Sequence, residues 1–312
     1  MTASKRLKTC RAIEANVGTR NLYAKKLNRL SKSWTRFLFQ EMVLFFWREH
    51  FIAMDASLSK PRSQRDKERL RKLQARLTKV MREDPEKVRD DLQAFVDQNL
   101  ARWTAKLETQ TKKICDWFVL TTARDTTSTL RRVLVSAGFP PNYMEEKWTI
   151  PIVRGQYVSK TAAKALPHHV EWATSLITKM HVRDVQRLQE VLLEGVLNGQ
   201  SFKKVRDTLK QFEGFDTKRA ERVALDQINK VNQAIQRDNQ LALGITQGIW
   251  VHVPGKYTSR ETHIHMNGKV FDLDKGLWDE DVQKHVLTGV LPFCRCVYRP
   301  VLPKAMLAET KK

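Results

Sequence analysis

Cysteine is scarce in this chain, with four in 312 residues. So few cannot make the disulfide framework on which small secreted domains depend. Cys10 and Cys115 stand apart in basic or helical surroundings and read as ordinary buried or free thiols. Long apolar runs are missing as well. The most apolar stretch, MVLFFW at 42–47, is hemmed in by Glu41 and Arg48 and is far too short to cross a bilayer. The opening MTASKRLKTCR has no apolar centre of the kind a secretory signal needs. Together these absences predict synthesis in a reducing cytoplasm and no membrane partner. Acidic residues are also in short supply: 34 Asp and Glu stand against 56 Lys and Arg, a net charge of +22. Fold requirements seldom produce that excess, and it favours contact with a polyanion, usually nucleic acid or an anionic membrane surface. No Ser-His-Asp arrangement, catalytic carboxylate pair or phosphate-binding loop is recognisable.

Helical periodicity fills most of the first 245 residues. Residues 1–32 read as a basic arm or a solvated helix. From Ser33 the pattern turns aromatic: Trp34, Phe37, Leu38, Met42, Phe45 and Phe46 recur at three-four spacing, which marks one helix face turned to a core or a partner. SLSKPRSQR at 57–65 reads as a linker. Leu70, Leu73, Leu77 and Val80 then form a narrow apolar seam in a field of charge. Asp84 can cap a helix that has Pro85 at its first position, and Val88, Leu92, Phe95, Leu100, Trp103 and Leu107 continue the stripe. SAGFPPNY at 136–143 ends a helix. The pattern resumes near Ala162, pauses at Pro167–His169, and reaches Gly199, with Ser201 and Asp216 as later caps.

The pattern changes after Gly244. GIWVHV alternates and is rich in strand formers, and CRCVYRPV is a further strand candidate. The expected fold is therefore mainly α, with long helices followed by a small C-terminal α+β domain that contains a β-hairpin. The expected segments are a basic helical region at 1–140, a helical middle region at 141–245 and the small terminal module at 246–312.

Within that module, Asn267-Gly268 invites a two-residue hairpin turn between HIHM and KVFDL. Such a hairpin would send Ile264, Met266, Phe271 and Leu273 to a core face. It would place His263 and His265 on the other face, with Asp272 beside His263. Cys294 and Cys296, if extended, also share a face. His263, His265, Cys294 and Cys296 could then surround one structural zinc, with Asp272 behind a histidine. The single residue between the cysteines departs from the usual two to four of zinc motifs. The alternative is that the histidines hydrogen-bond locally and the cysteines pack as small apolar groups. A Cys294–Cys296 disulfide would be strained.

Ser259, Arg260, His263, Gly268 and Phe271, followed by Pro292, Cys294, Arg295 and Cys296, resemble the signature of the Mu F-like phage head-morphogenesis proteins, or minor head proteins. Trp250 matches the strand tryptophan that precedes that signature. RAERVAL at 219–225 is similar to the family's RAERIAR helix, and NGQSFKKV to its earlier G-x-S segment. The likeness covers roughly residues 190–300. His265 stands outside the signature, and Leu225 occupies a position where the family often has Arg.

The resemblance implies a low-copy, non-enzymatic component of the virion. It would associate with the portal and other head proteins during procapsid assembly in the host cytoplasm, then lie inside the head with the packaged DNA. Charge points the same way, towards non-specific contact with double-stranded DNA. The candidate contact residues are Lys5, Arg6, Lys8, Arg11, Lys25, Lys26, Arg29, Arg69, Arg71 and Lys72. Two other expectations compete. One is a metal-dependent hydrolase or nuclease built on the His/Cys cluster and Asp272. The other is an effector carried in the virion and ejected with the DNA, although no toxin domain is expected after Cys296.

Overall fold

The computed structural model describes residues 7–50, 63–148, 150–153, 156–198, 200, 204, 207–208, 217–254 and 259–309. Lys5, Arg6, Gly199, Ser201 and Asp216 lie outside them, as do the side chains of Phe46 and of the seam Leu70, Leu73, Leu77 and Val80. The fold is mainly α, with a small antiparallel sheet region near the C-terminus. The chain forms two compact units. One comprises Met1–Lys26, Lys112–Ala173 and Lys218–Lys312, and the other Leu27–Thr111 and Thr174–Thr217.

The second unit is built from helical stretches. α1 (Val17–His50) carries Leu27, Leu30, Trp34, Leu38, Met42 and Phe45, all buried at three-four spacing. The aromatic stripe is therefore core. α2 (Gln64–Glu83) opens with a reciprocal cap: Ser63 Oγ accepts from Asp66 N, and Asp66 Oδ2 accepts from Ser63 N. In α3 (Pro85–Ser136), Lys87 N donates to Asp84 Oδ1 at 3.0 Å, as the Asp-Pro sequence predicts. Val88, Leu92, Trp103 and Leu107 of that helix are buried. Trp103 meets Phe37 and Phe95 edge-on and donates its indole N–H to Glu41 Oε2 at 3.1 Å.

α3 ends in the other unit at Gly138, whose φ of 100° suits only a residue without a Cβ. There Phe139 N reaches Leu134 O and Gly138 N reaches Val135 O. A short helix α4 (Tyr143–Lys147) and the strands β1 (Ile150–Val153) and β2 (Gln156–Val158) follow. α5 (Lys160–Leu197) is capped by Ser159 Oγ, which accepts from Ala162 N at 3.1 Å. It runs through Pro167 rather than pausing there. Proline removes one ladder bond, and the buried Val170, Ala173 and Ile177 carry the helix onward.

α6 (Thr217–Ala242) is unusual in what it buries. Ala220, Ala224, Ile228, Val231 and Ile235 are buried, but so are Gln227, Asn229, Asn232, Gln233, Gln236, Asn239 and Gln240. Most of these amides have a partner from another element. Tyr23 OH donates to Gln227 Oε1, Thr126 Oγ1 to Asn232 Oδ1 at 2.7 Å, Ser159 N to Asn239 Oδ1 at 3.1 Å, and Tyr298 OH to Gln240 Oε1 at 2.8 Å. The helix is thus enclosed, and its polar face is a docking code rather than a solvated one.

β3 (Gln247–Val251) is the middle strand of an antiparallel sheet ordered β4-β3-β7, with β4 at Val270–Asp272 and β7 at Val297–Val301. Gly248 lies between Phe271 and Pro300 in register, and a Cβ there would stand 2.7 Å from Tyr298 Cδ2. Residues 7–10 are no free arm. Thr9 bridges Val301, Cys10 N donates to Pro300 O at 3.1 Å, and Leu302 N donates to Lys8 O at 2.9 Å. A third sheet, two-stranded like that of β1 and β2, pairs β5 (Leu277–Asp279) with β6 (Lys284–Val286). A short helix α7 (Glu261–His265) precedes β4, and the last helix among the described residues is α8 (Lys304–Glu309).

Candidate functional site

The hairpin expected across Asn267-Gly268 does not form. Glu261–His265 is instead a short helix, α7, and Gly268, with φ 82°, turns the chain out of it into β4. Asn-Gly serves a helix exit as well as a hairpin, because both need a left-handed glycine. The change of element separates the two histidines. Residues two apart on a helix face different ways, so His263 is buried and His265 exposed. Of the expected core face, Met266, Phe271 and Leu273 are buried, but Ile264 is 47% exposed.

His263 sits edge-on against Trp250, ring centroids 5.3 Å apart, and Trp250 packs on Phe271 at 5.6 Å. Its Nε2 faces Asp279 Oδ2 at 3.1 Å. Asp279 is wholly buried at the end of β5 and also accepts the N–H of Asp281 at 2.9 Å. Asp272, the carboxylate expected behind the histidine, instead accepts from Gln247 Nε2 at 3.2 Å. The other ring nitrogen of His263, Nδ1, faces both sulfurs: Cys294 Sγ at 3.4 Å and Cys296 Sγ at 3.7 Å. One further group approaches. His252 Nδ1 lies 3.6 Å from Cys296 Sγ, just beyond the end of β3. Its backbone N–H is held by Asn267 Oδ1 at 2.9 Å.

The cysteine segment is positioned by a turn and by α6. Cys294 N donates to Leu291 O at 3.1 Å, with Pro292 second in the turn and Phe293 third, at φ 59°. Proline presets the second position of such turns. The left-handed Phe293 is strained for a side chain with a Cβ. Asp226 Oδ1 compensates by accepting its N–H at 2.6 Å. Asn229 Nδ2 donates to Cys294 O at 2.7 Å. From the other side, Arg260 donates to Pro292 O at 3.0 Å. Arg295 donates to Pro254 O at 3.3 Å.

The two thiols differ in kind. Cys294 falls to about 4, chiefly because the Cys296 thiol hydrogen-bonds to it and with help from His263; burial opposes this. Cys296 is pushed up, first by that same hydrogen bond and then by burial. For His263, burial disfavours the imidazolium, but Cys294 and Asp279 outweigh it and the net shift is upward. Two sulfurs and an imidazole nitrogen thus converge, all within 4.8 Å of one another, and a carboxylate fixes the far side of the ring. This donor set suits a thiophilic divalent metal. Read without a metal, the line Asp279–His263–Cys294 has the order of a nucleophile with its base. Cys294 is only 4% exposed and Cys296 only 2%, so no substrate reaches either sulfur as they stand.

Residues 186–299 match the family model described as Phage Mu protein F like protein. Over these residues the chain is similar to the Mu F-like phage proteins. The matched stretch runs from the later turns of α5 to β7 and contains the whole Asp279–His263–Cys294–Cys296 cluster together with His252. Among curated proteins, the uncharacterized protein YqbB of Bacillus subtilis (strain 168) is 27% identical over 107 residues, 34% of this chain. The match spans 35% of YqbB's length. No solved structure matches the chain. Within the Mu F-like region, Trp250, His263, Phe271, Cys294 and Cys296 form one buried group, while Arg260, Pro292 and Arg295 shape the loops around it. Gly268 makes the turn.

Sequence reasoning missed His252 and Asp279. The alternation of GIWVHV already puts Trp250 and His252 on one strand face, which was a usable signal. Asp279 carried none, because nothing local in LWDED says which acid is buried. Of the basic residues proposed for nucleic acid, Lys8, Arg11, Lys25, Arg29, Arg69, Arg71 and Lys72 are exposed. Lys26 is half-buried, its Nζ 4.7 Å over the Trp117 ring. Among the described residues, no helix is long and apolar enough to cross a membrane.

Proposed function

We propose that this Mu F-like protein is a low-copy minor head protein that joins the portal and other head proteins during procapsid assembly and remains beside the packaged DNA. The observation that carries the reading is the family match at 186–299, a family of phage head morphogenesis, falling on the residues that build the buried cluster. The net charge of +22 and the exposed Lys and Arg of the N-terminal segment, α1 and α2 support the DNA contact. Long basic side chains on helices neutralise phosphates and release counterions without reading bases.

Two measurements test this. Purified particles and procapsids should contain the protein in small, fixed proportion to the portal; its absence from both would end the assembly reading. Fluorescence anisotropy with duplex DNA of unrelated sequences should give similar affinities that fall about 10³-fold or more between 50 and 200 mM salt if six or more phosphates are contacted. Affinity that ignores salt, or that depends on sequence, would end the DNA reading.

A hydrolase or nuclease using the cluster is less well supported, since both sulfurs are buried and His263 is occupied by Asp279. Hydrolysis of DNA by the purified chain, lost in His263→Ala, would favour that reading instead.

A further inference from the structure

We propose that His252, His263, Cys294 and Cys296 close around one zinc ion, with Asp279 as the carboxylate behind His263. The ligand set is not the one the sequence suggested: His252 replaces His265. His263, Cys294 and Cys296 already converge, and His252 stands against Cys296, from which a turn towards the other three would complete the set. A tetrahedral zinc with Zn–S about 2.3 Å and Zn–N about 2.0 Å has S···N edges of about 3.5 Å. The three such contacts present are 3.4, 3.7 and 3.6 Å, the last made by His252. Both histidines turn Nδ1 to sulfur. For His263 this follows from its tautomer. With Nε2–H donated to Asp279, Nδ1 is left as the lone-pair nitrogen that a metal requires.

Each ligand comes from a different local device. His252 follows the central strand, and Asn267 pins its backbone. His263 lies on the buried side of α7. The cysteines leave the Leu291–Cys294 turn that α6 holds through Asp226 and Asn229. Elements this short have little core of their own. An ion joining them would fasten β3, α7 and the approach to β7, the usual task of a closed zinc site. Four protein ligands leave no open position for a substrate, so the proposed ion is structural. The proposal stands independently of the head-assembly reading.

The test uses the full-length, untagged chain, purified reduced and without added chelator. Elemental analysis should find about one zinc per chain. After the zinc is stripped, titration with cobalt chloride should give the intense visible bands of tetrahedral cobalt and a thiolate charge-transfer band. His252→Ala should weaken zinc binding at least about tenfold and alter the cobalt bands. Asp279→Asn should weaken it about 10- to 100-fold while keeping the bands. His265→Ala should change neither. Cys294→Ser and Cys296→Ser should lose the charge-transfer band in part or, if folding fails, be insoluble; the wild-type cobalt spectrum decides the matter without them. Zinc below about a tenth of an equivalent together with six-coordinate cobalt spectra would overturn the proposal. So would rapid alkylation of Cys294 in the zinc-replete protein. Full affinity in His252→Ala, or a loss in His265→Ala equal to that in His252→Ala, would overturn the ligand set.

Discussion

Tyr298 and Gln240 offer a clean measure of what the buried amide face of α6 contributes. Tyr298 is 2% exposed and Gln240 0%, and the phenol donates to Gln240 Oε1 at 2.8 Å. Tyr298→Phe keeps the ring that packs on Phe271 and Gly248 but removes the donor. It strands a buried acceptor, which costs about 1–3 kcal/mol. Gln240→Leu alone strands the phenol and should cost a similar amount. The double substitution removes both polar partners. Its cost should therefore fall well short of the sum, giving a coupling of about 1 kcal/mol or more. Urea unfolding followed by near-ultraviolet circular dichroism reads all four corners of the cycle. If the single substitutions are each neutral, or the double equals their sum, the amide face is a passive surface and its reading as a docking code is wrong.

Other outcomes follow from the same geometry. Gly248→Ala should destabilise by about 1–3 kcal/mol, because its Cβ would meet the Tyr298 ring at 2.7 Å; a thermal melt at or above wild type would contradict this. Phe293→Asn should be neutral or stabilising by up to about 1 kcal/mol, since Asn tolerates the left-handed region that φ 59° requires; a clear loss on denaturant unfolding would mean that the exposed ring contributes more than its strain costs. Burial raises the Cys10 thiol from 9.0 to about 11, so at pH 8 it should react with iodoacetamide roughly 100-fold more slowly in the folded than in the unfolded chain. The neutral thiol's contribution to stability is fully present below pH 9 and is lost as pH rises towards 11. Lys8→Ala with Arg11→Ala should lower the salt slope of DNA binding by about 2 if both touch phosphate, as anisotropy titrations would read.

The helices were legible because their apolar positions recur with helical spacing and because Asp84-Pro85 announces a start. β3 and β7 were legible from alternation and strand formers. The proposed zinc ligands were half legible, and the reason is local. His-x-His carries opposite meanings in a strand and a helix, and the Asn-Gly that follows fits either. Only the packing of Trp250, itself backed by Phe271, against His263 decides between them. The burial of the polar stripe of α6 was not legible, because burial of an amide depends on partners from residues as distant as Tyr23 and Tyr298. Pro167 misled because one lost backbone bond is small beside the burial that follows it.

The pairing of Thr9 with Val301 sets a timetable for synthesis. Lys8 and Cys10 have no strand to meet until β7 at Val297–Val301 has left the ribosome, so this edge of the sheet is sealed late. Until then β3 lacks its partner β7, and the nascent protein carries an open edge of the kind that recruits a second chain. Closure across so large a separation is slow relative to local helix formation. Misassembly should therefore concentrate in chains whose first dozen residues are removed, even where every helix has already formed.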